Sequence, residues 1–142
     1  PGRSIVADSG LTVYTVGSVK SIPGFRTYVS VDGGMTDNVR YAMYGSQYTV
    51  VAPADMEGEY NLKCSVVGRC CESGDIIQPD VMLPGTVKRG DYLAVFTTGA
   101  YNYSMASNYN RIPRPALVMV EGETERIAVR RETEEDLLAL DI

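Results

Sequence analysis

Residues 59–66, EYNLKCSV, alternate in character: Tyr60, Leu62, Cys64 and Val66 are apolar, and Glu59, Asn61, Lys63 and Ser65 are polar. A period of two turns one set to a core and the other to water, so the segment predicts a half-buried β-strand. It also gives Cys64 a place on the core face as a small apolar residue. Further runs with strand character occupy 11–22, 27–32, 47–52, 91–98, 115–121 and 125–131. Gly17 interrupts the first of them and predicts a bulge. Pro23-Gly24, Asp32-Gly33-Gly34, Pro84-Gly85 and Glu121-Gly122 supply the turns. Short strands spaced in this way predict a mainly β domain, a sandwich or a barrel.

One helix is predicted at the end of the chain. Thr133 can cap it, Asp136 can complete a capping box, and Glu134 and Glu135 place negative charge in its first turn. Leu137, Leu138 and Leu140 give it an apolar side to bury. Shorter helical turns are expected near 36–44 and 100–107.

The chain has 142 residues, enough for one domain with its own core. Hydrophobic residues make up 44% and charged residues 22%, the balance of a globular protein rather than a disordered one. A net charge of -5 argues against nucleic acid as a partner, which would require a basic footprint. The longest apolar run, 115–120, is far short of the roughly 18 residues that span a membrane. No signal peptide is visible. Histidine is absent, which removes Ser-His-Asp and Cys-His catalysis and the common zinc motifs. The three cysteines form neither a C-x-x-C metal pair nor an even disulfide framework, so no metal site is expected and a reducing cytoplasm suits them.

Four segments carry more polar groups than plain connections need: 1-PGR-3, 33-GGMTDNVRYAMYG-45, 69-RCCESGD-75 and 99-GAYNYSMASNYNR-111. If 36–44 is helical, Arg40 and Tyr44 share a face. A guanidinium beside a phenol is a sensible receptor for a carboxylate. Each segment also has an ordinary reading. An Arg-Tyr pair is often a surface contact, tyrosines often pack with a wet hydroxyl, cysteine is often just buried, and Glu-Ser-Gly-Asp is often an acidic turn.

Taken together and in order, PGRSIVADSG, SVDGGMTDNVRYAMYG, CCESGD, GDYLAVFTTGAYNYSMASNYNRIPRPA and RRETEEDLL resemble segments of the diaminopimelate decarboxylases. These are pyridoxal-phosphate (PLP) decarboxylases with an alanine-racemase-like fold, and the resemblance runs from Pro1 to about Leu138. It implies a Greek-key β-barrel or sandwich of the alanine-racemase C-terminal type, with a short C-terminal helix. It implies that residues 1–142 are the C-terminal domain, with 1–10 as the tail of a PLP-binding TIM barrel or its junction. Pro1-Gly2-Arg3 then resembles the end of a Glu-Pro-Gly-Arg motif. The barrel and its Schiff-base lysine are not in the chain. Its three lysines, Lys20, Lys63 and Lys88, lie in no segment resembling the cofactor-lysine motif.

The resemblance assigns roles residue by residue. Cys71 is the proton donor, and a cysteine with an ordinary pKa of about 8.5 is mostly protonated at neutral pH. Glu72 meets the distal ammonium group of the substrate. Arg3, Arg40 and Tyr44 hold its distal carboxylate. Tyr101 touches both substrate and PLP, and Gly2 and Arg3 lie at the phosphate side of the cofactor. Cys70 is expected only to pack. Val39 and Tyr41 flank Arg40 where the family often has proline. The implied activity is conversion of meso-diaminopimelate to L-lysine and CO2, in a cytoplasmic homodimer whose two sites are shared between subunits. The chain alone is expected to be inactive. Ornithine-type relatives usually carry aspartate after the cysteine, which favours diaminopimelate here. Two alternatives stand beside this expectation: a related decarboxylase acting on another basic amino acid, and a free-standing β module for binding or dimerisation.

Overall fold

The computed structural model describes all 142 residues. Its strands are β1 (Leu11–Ile22), β2 (Arg26–Val31), β3 (Val50–Val51), β4 (Leu62–Val67), β5 (Ile76–Leu83), β6 (Tyr92–Phe96), β7 (Leu117–Glu121) and β8 (Thr124–Val129). Two short helices, α1 (Arg40–Tyr44) and α2 (Glu134–Leu138), join them. The first six strands form one sheet in the order β3-β6-β1-β2-β4-β5, and β7 and β8 form a separate hairpin. No helix is long and apolar enough to cross a membrane.

β1 serves two halves of the sheet. Residues 11–15 pair with β6 and residues 16–22 pair with β2, both antiparallel. The register shifts between Val16 and Ser18, so Gly17 marks the bulge its sequence position predicts. β6 returns after a long excursion to lie beside β1, a connection of Greek-key type. The parallel pairing of β2 with β4 departs from an all-antiparallel arrangement. Gln78 of β5 draws the two ends of the sheet together into a nearly closed barrel. Its Oε1 accepts from the Tyr48 amide at 2.7 Å, and its Nε2 donates to Gln47 Oε1 at 2.6 Å.

Alternation along the strands fills the interior. Tyr14, Val16, Val29, Val66, Ile77, Leu93 and Val95 are all buried in one core cluster with Cys64. A fully buried side chain of this size contributes about 1.5–3 kcal/mol. Ser65 breaks the polar-out pattern of β4: it is fully buried and accepts from Arg26 Nη1 at 3.2 Å.

One strand was not expected, and two expectations need adjustment. β5 is a strand although 76-IIQPDVML-83 contains proline and aspartate, residues that argue against strands. Its place at the end of the sheet tolerates Pro79, and Asp80 (φ 52) falls where the register with β4 shifts. β3 keeps only Val50–Val51 of the expected 47–52, because the Tyr48 amide is taken by the Gln78 side chain. α2 has the expected capping box, with Thr133 and Asp136 exchanging hydrogen bonds. Of its expected apolar side only Leu137 is half-buried; Leu138 is exposed, and Leu140, beyond the helix end, is 93% accessible.

Candidate active site

α1 begins at Arg40 and stops at Gly45, whose φ of 63 is left-handed and whose N–H donates to the Tyr41 carbonyl at 2.8 Å. The four-residue spacing places Arg40 and Tyr44 on one face, with the guanidinium carbon 5.2 Å from the Tyr44 ring centre. The same carbon lies 5.6 Å from the ring centre of Tyr101. Arg40 Nη1 reaches Met105 Sδ at 3.9 Å, and its Nε is buried without a partner. Arg40 is therefore held by ring faces and a soft sulfur, with hydrogen-bonding capacity left over.

Tyr101 is reached through a strained turn. Its φ is 72, a conformation costing a non-glycine residue about 1–2 kcal/mol. The turn is held by the Tyr101 carbonyl, which accepts from the Met105 amide at 2.9 Å and from Ser104 Oγ at 3.1 Å. Thr97, at the other end of this connection, also has positive φ (65). Its carbonyl accepts from Arg3 Nη2 at 3.1 Å. The Arg3 guanidinium carbon stands 5.9 Å from the Tyr48 ring centre, and the Tyr48 hydroxyl donates to Asn102 Oδ1 at 3.4 Å. A methyl group on Gly2 would lie 3.4 Å from the Tyr101 hydroxyl oxygen. Gly2, Arg3, Arg40, Tyr44 and Tyr101 thus belong to one neighbourhood, although they lie up to a hundred residues apart.

Cys71 and Glu72 lie on the connection between β4 and β5, and both are exposed. Neither makes a hydrogen bond to Arg3, Arg40, Tyr44 or Tyr101; the Glu72 carboxylate instead accepts from Gly74 N at 3.3 Å and Ser73 Oγ at 3.1 Å. Those bonds, the Gly74 amide first, hold the Glu72 carboxyl below its usual range, with the Tyr109 hydroxyl adding a smaller effect. Cys70 is buried, and its thiol is pushed up to about 11, first by burial and then by Asp75. Cys64 is pushed up to about 11 by burial alone. Of the vicinal cysteines, Cys70 is packed inside, as expected, and Cys71 is exposed.

Two carboxylates beneath this surface had no part in the sequence reading. Asp75 is 3% accessible; its Oδ1 accepts from the Met35 amide at 2.6 Å and its Oδ2 from the Cys70 amide at 2.7 Å. Asp37 accepts from the Gly34 amide at 2.9 Å and from the Tyr14 hydroxyl, which rises from the core. Burial raises the Asp37 carboxyl above its ordinary value, and burial followed by the Asp37 charge raises the Tyr14 phenol well above its own. Asp75 sits inside the CESGD segment and could have been found there. Tyr14 and Asp37 are distant in sequence and carry no motif.

The anion-receiving neighbourhood is compatible with the phosphate end of PLP. Arg3 keeps a buried Nε without a partner, and Gly2 presents no side chain beside the Tyr101 hydroxyl. Lys20, Lys63 and Lys88 are exposed on other elements, and Lys63 is paired with Asp80 at 3.6 Å. The donors present fit an anionic group and include no amine to hold an aldehyde.

A sequence model described as "Pyridoxal-dependent decarboxylase, C-terminal sheet domain" matches residues 5–99. The chain belongs to this family of decarboxylase C-terminal domains. It is 55% identical over 142 residues to the diaminopimelate decarboxylase of Bacillus subtilis (strain 168), covering all of this chain and 32% of that protein. Its structure is similar to that of the diaminopimelate decarboxylase of M. jannaschii in co-complex with L-lysine. The TM-score is 0.92 at 37% identity, over 100% of this chain and 32% of the other. A lysine/ornithine decarboxylase of Vibrio vulnificus complexed with cadaverine gives 0.66 at 25% identity, over 78% of this chain and 29% of the other. The chain spans about a third of the length of the curated relatives it matches.

Proposed function

We propose that residues 1–142 form the C-terminal β domain of a cytoplasmic, PLP-dependent diaminopimelate decarboxylase, which converts meso-2,6-diaminopimelate to L-lysine and CO2. The observation that carries this reading is Arg40, stacked between Tyr44 and Tyr101 with an unpartnered buried Nε. It is a receptor for a carboxylate, which the distal end of diaminopimelate has and ornithine lacks. Glu72, held in its ionised form, supplies the matching partner for the distal ammonium group.

PLP, anchored outside this chain, supplies the electron sink that makes loss of CO2 feasible. Gly2, Arg3 and Tyr101 would hold it, with Gly2 and Arg3 toward its phosphate. Arg3, Arg40 and Tyr44 fix the distal carboxylate, which orients the reacting end by binding energy gained far from it. The Cys71 thiol then delivers a proton to the carbon that has lost CO2, and solvent restores the thiol. Cys71 and Glu72 make no hydrogen bond to the arginine receptor of their own chain, which supports a head-to-tail homodimer in which they complete the partner's site. Residues 1–10 form the junction with the PLP-binding barrel, and the chain alone is inactive.

The test is to assay the full protein carrying this chain, loaded with PLP, for CO2 release from meso-diaminopimelate, L-ornithine and L-arginine. Release from diaminopimelate alone is expected. Release from ornithine or arginine but not from diaminopimelate would overturn the reading.

A further inference from the structure

The two groups of candidate residues belong to different connections. Arg40 and Tyr44 follow the 33–38 loop after β2, and Cys71 and Glu72 sit in the loop between β4 and β5. A main-chain bond already brings these loops side by side, the Arg69 amide donating to the Gly33 carbonyl at 3.0 Å, and the Gly68 amide closes the base of the second loop by donating to the Asp75 carbonyl at 3.0 Å. The Asp75 carboxylate then spans them, one oxygen on Met35 N at 2.6 Å and the other on Cys70 N at 2.7 Å. There is no slack around it. A Cβ on Gly34 would lie 2.7 Å from Asp75 Oδ1, and one on Gly68 would lie 2.2 Å from Asp75 Oδ2. Both glycines are therefore needed for the carboxylate to sit between the loops.

We propose that Asp75 is a positioning residue, whose carboxylate clamps the 33–35 segment to the 68–70 segment and so holds Cys71 and Glu72, which complete the partner's site, on the same frame as Arg40 of their own chain's site. The proposal rests on the functional reading above for the roles of those three side chains. The clamp itself is a statement about this chain. Its left-hand bond ends one residue before the proton donor. Its right-hand bond ends five residues before the arginine receptor, in a loop whose other anchor is Asp37 on the Gly34 amide and Tyr14. A carboxylate accepting two amides from separate loops is a stiffer link than a neutral side chain, because both bonds are charge-assisted. Asparagine in its place keeps one acceptor oxygen and turns an N–H2 group toward the other amide, so one of the two bonds must open.

The experiment compares unmodified protein with Asp75→Asn and Asp75→Glu by amide hydrogen exchange and by kinetics on the full protein. In unmodified protein, the Met35 and Cys70 amides exchange about tenfold or more slowly compared with the exposed Cys71 amide. In Asp75→Asn, at least one of the two loses about tenfold in protection, while the amides of Val66 and Ile77 in β4 and β5 hold theirs. In the full protein, kcat/KM for meso-diaminopimelate falls about tenfold or more, mostly in kcat, because the donor is misplaced by a fraction of an ångström. Asp75→Glu keeps the charge but not the reach and gives no rescue. The proposal is overturned if Met35 and Cys70 exchange as fast as Cys71 in unmodified protein, a result that needs no variant to fold. It is also overturned if the clamp amides loosen while kcat is unchanged. If the unmodified full protein releases no CO2 from diaminopimelate, the functional reading fails, and slow exchange at Met35 and Cys70 still decides whether the clamp exists.

Discussion

The guanidinium carbon of Arg40 lies 5.6 Å from the ring centre of Tyr101, a residue 61 positions further along the chain and in a left-handed backbone conformation. Packing of a cation on an aromatic face holds the charge without neutralising it, so Arg40 remains available to an anion. Replacing it with glutamine should leave the fold intact, because the side chain is only partly buried. In the full protein, Arg40→Gln is expected to lower kcat/KM for meso-diaminopimelate about a hundredfold or more, the usual cost of removing one partner of a close charge pair. Inhibition by cadaverine, which carries amines but no carboxylate, should change far less. Equal losses for both compounds would mean that Arg40 does not read the distal end.

The cysteines should separate cleanly in a labelling experiment. At pH 7.5, iodoacetamide is expected to modify Cys71 first. Cys64 and Cys70, whose thiols are buried and pushed up to about 11, should react only on unfolding. Cys71→Ala should reduce kcat of the full protein about a hundredfold or more with little effect on Tm. Cys70→Ala should do the reverse, with a stability loss of about 1 kcal/mol and modest kinetic change. Mass spectrometry of the labelled peptides, together with thermal melts, checks both.

Gln78 is the test of sheet closure. Substitution by leucine keeps the volume and removes the acceptor for the buried Tyr48 amide. The expected loss is about 1–3 kcal/mol, the cost of an unsatisfied buried donor. It should appear in urea unfolding and as faster exchange at Tyr48 while β1–β2 amides are unaffected. Unchanged stability would mean that the sheet ends do not depend on this bond.

Acid should loosen the C-terminal segment before the core. The Glu132 carboxyl is held down to about 2, first by the Arg114 side chain and then by the Arg114 amide. Its folded value lies below the roughly 4.3 of an unfolded chain. The stability it contributes is therefore complete above that value and is lost as pH falls toward 2. Asp37 works in the opposite sense: its raised value favours the folded state when protonated, and that contribution fades as pH rises through the folded value. An NMR titration should show the Arg114 Nε–H signal broadening between about pH 4 and 2 while β1 and β6 amides stay protected. An Arg114 signal that persists unchanged to pH 2 would contradict the clasp.

How much of this was legible in the sequence varied with the kind of signal. β1, β6 and the two strands of the hairpin declared themselves through β-branched content and alternation, and Gly17 declared the bulge. The capping box of α2 was readable because Thr133 and Asp136 satisfy each other locally. β5 was not, since Pro79 and Asp80 are tolerated only by virtue of its place at the sheet end, a tertiary circumstance. Leu137, Leu138 and Leu140 were expected inside, yet Leu137 is only half-buried and the other two are exposed, because amphipathicity says which side seeks cover and not whether this chain supplies it. At the site, the Arg40–Tyr44 pair followed from helical spacing. Tyr101, Arg3 and Gly2 were named through resemblance, and their proximity to Arg40 follows from the strained turns at Thr97 and Tyr101. Asp75 lay in plain view within CESGD and had no stated role, because a carboxylate that binds main-chain amides leaves no pattern in its partners.

Parallel pairing of β2 with β4 obliges the chain to travel back along the full length of the sheet between them, since a tight hairpin cannot connect two parallel strands. Residues 32–61 are that return journey, with β3 as its one strand, and α1 with its arginine rides on the stretch before β3. Under the function proposed above, the part of the domain that discriminates among amino acids is thus a detour the topology already required. Evolution can rewrite the stretch around α1, in length or in side chains, and leave every strand in register.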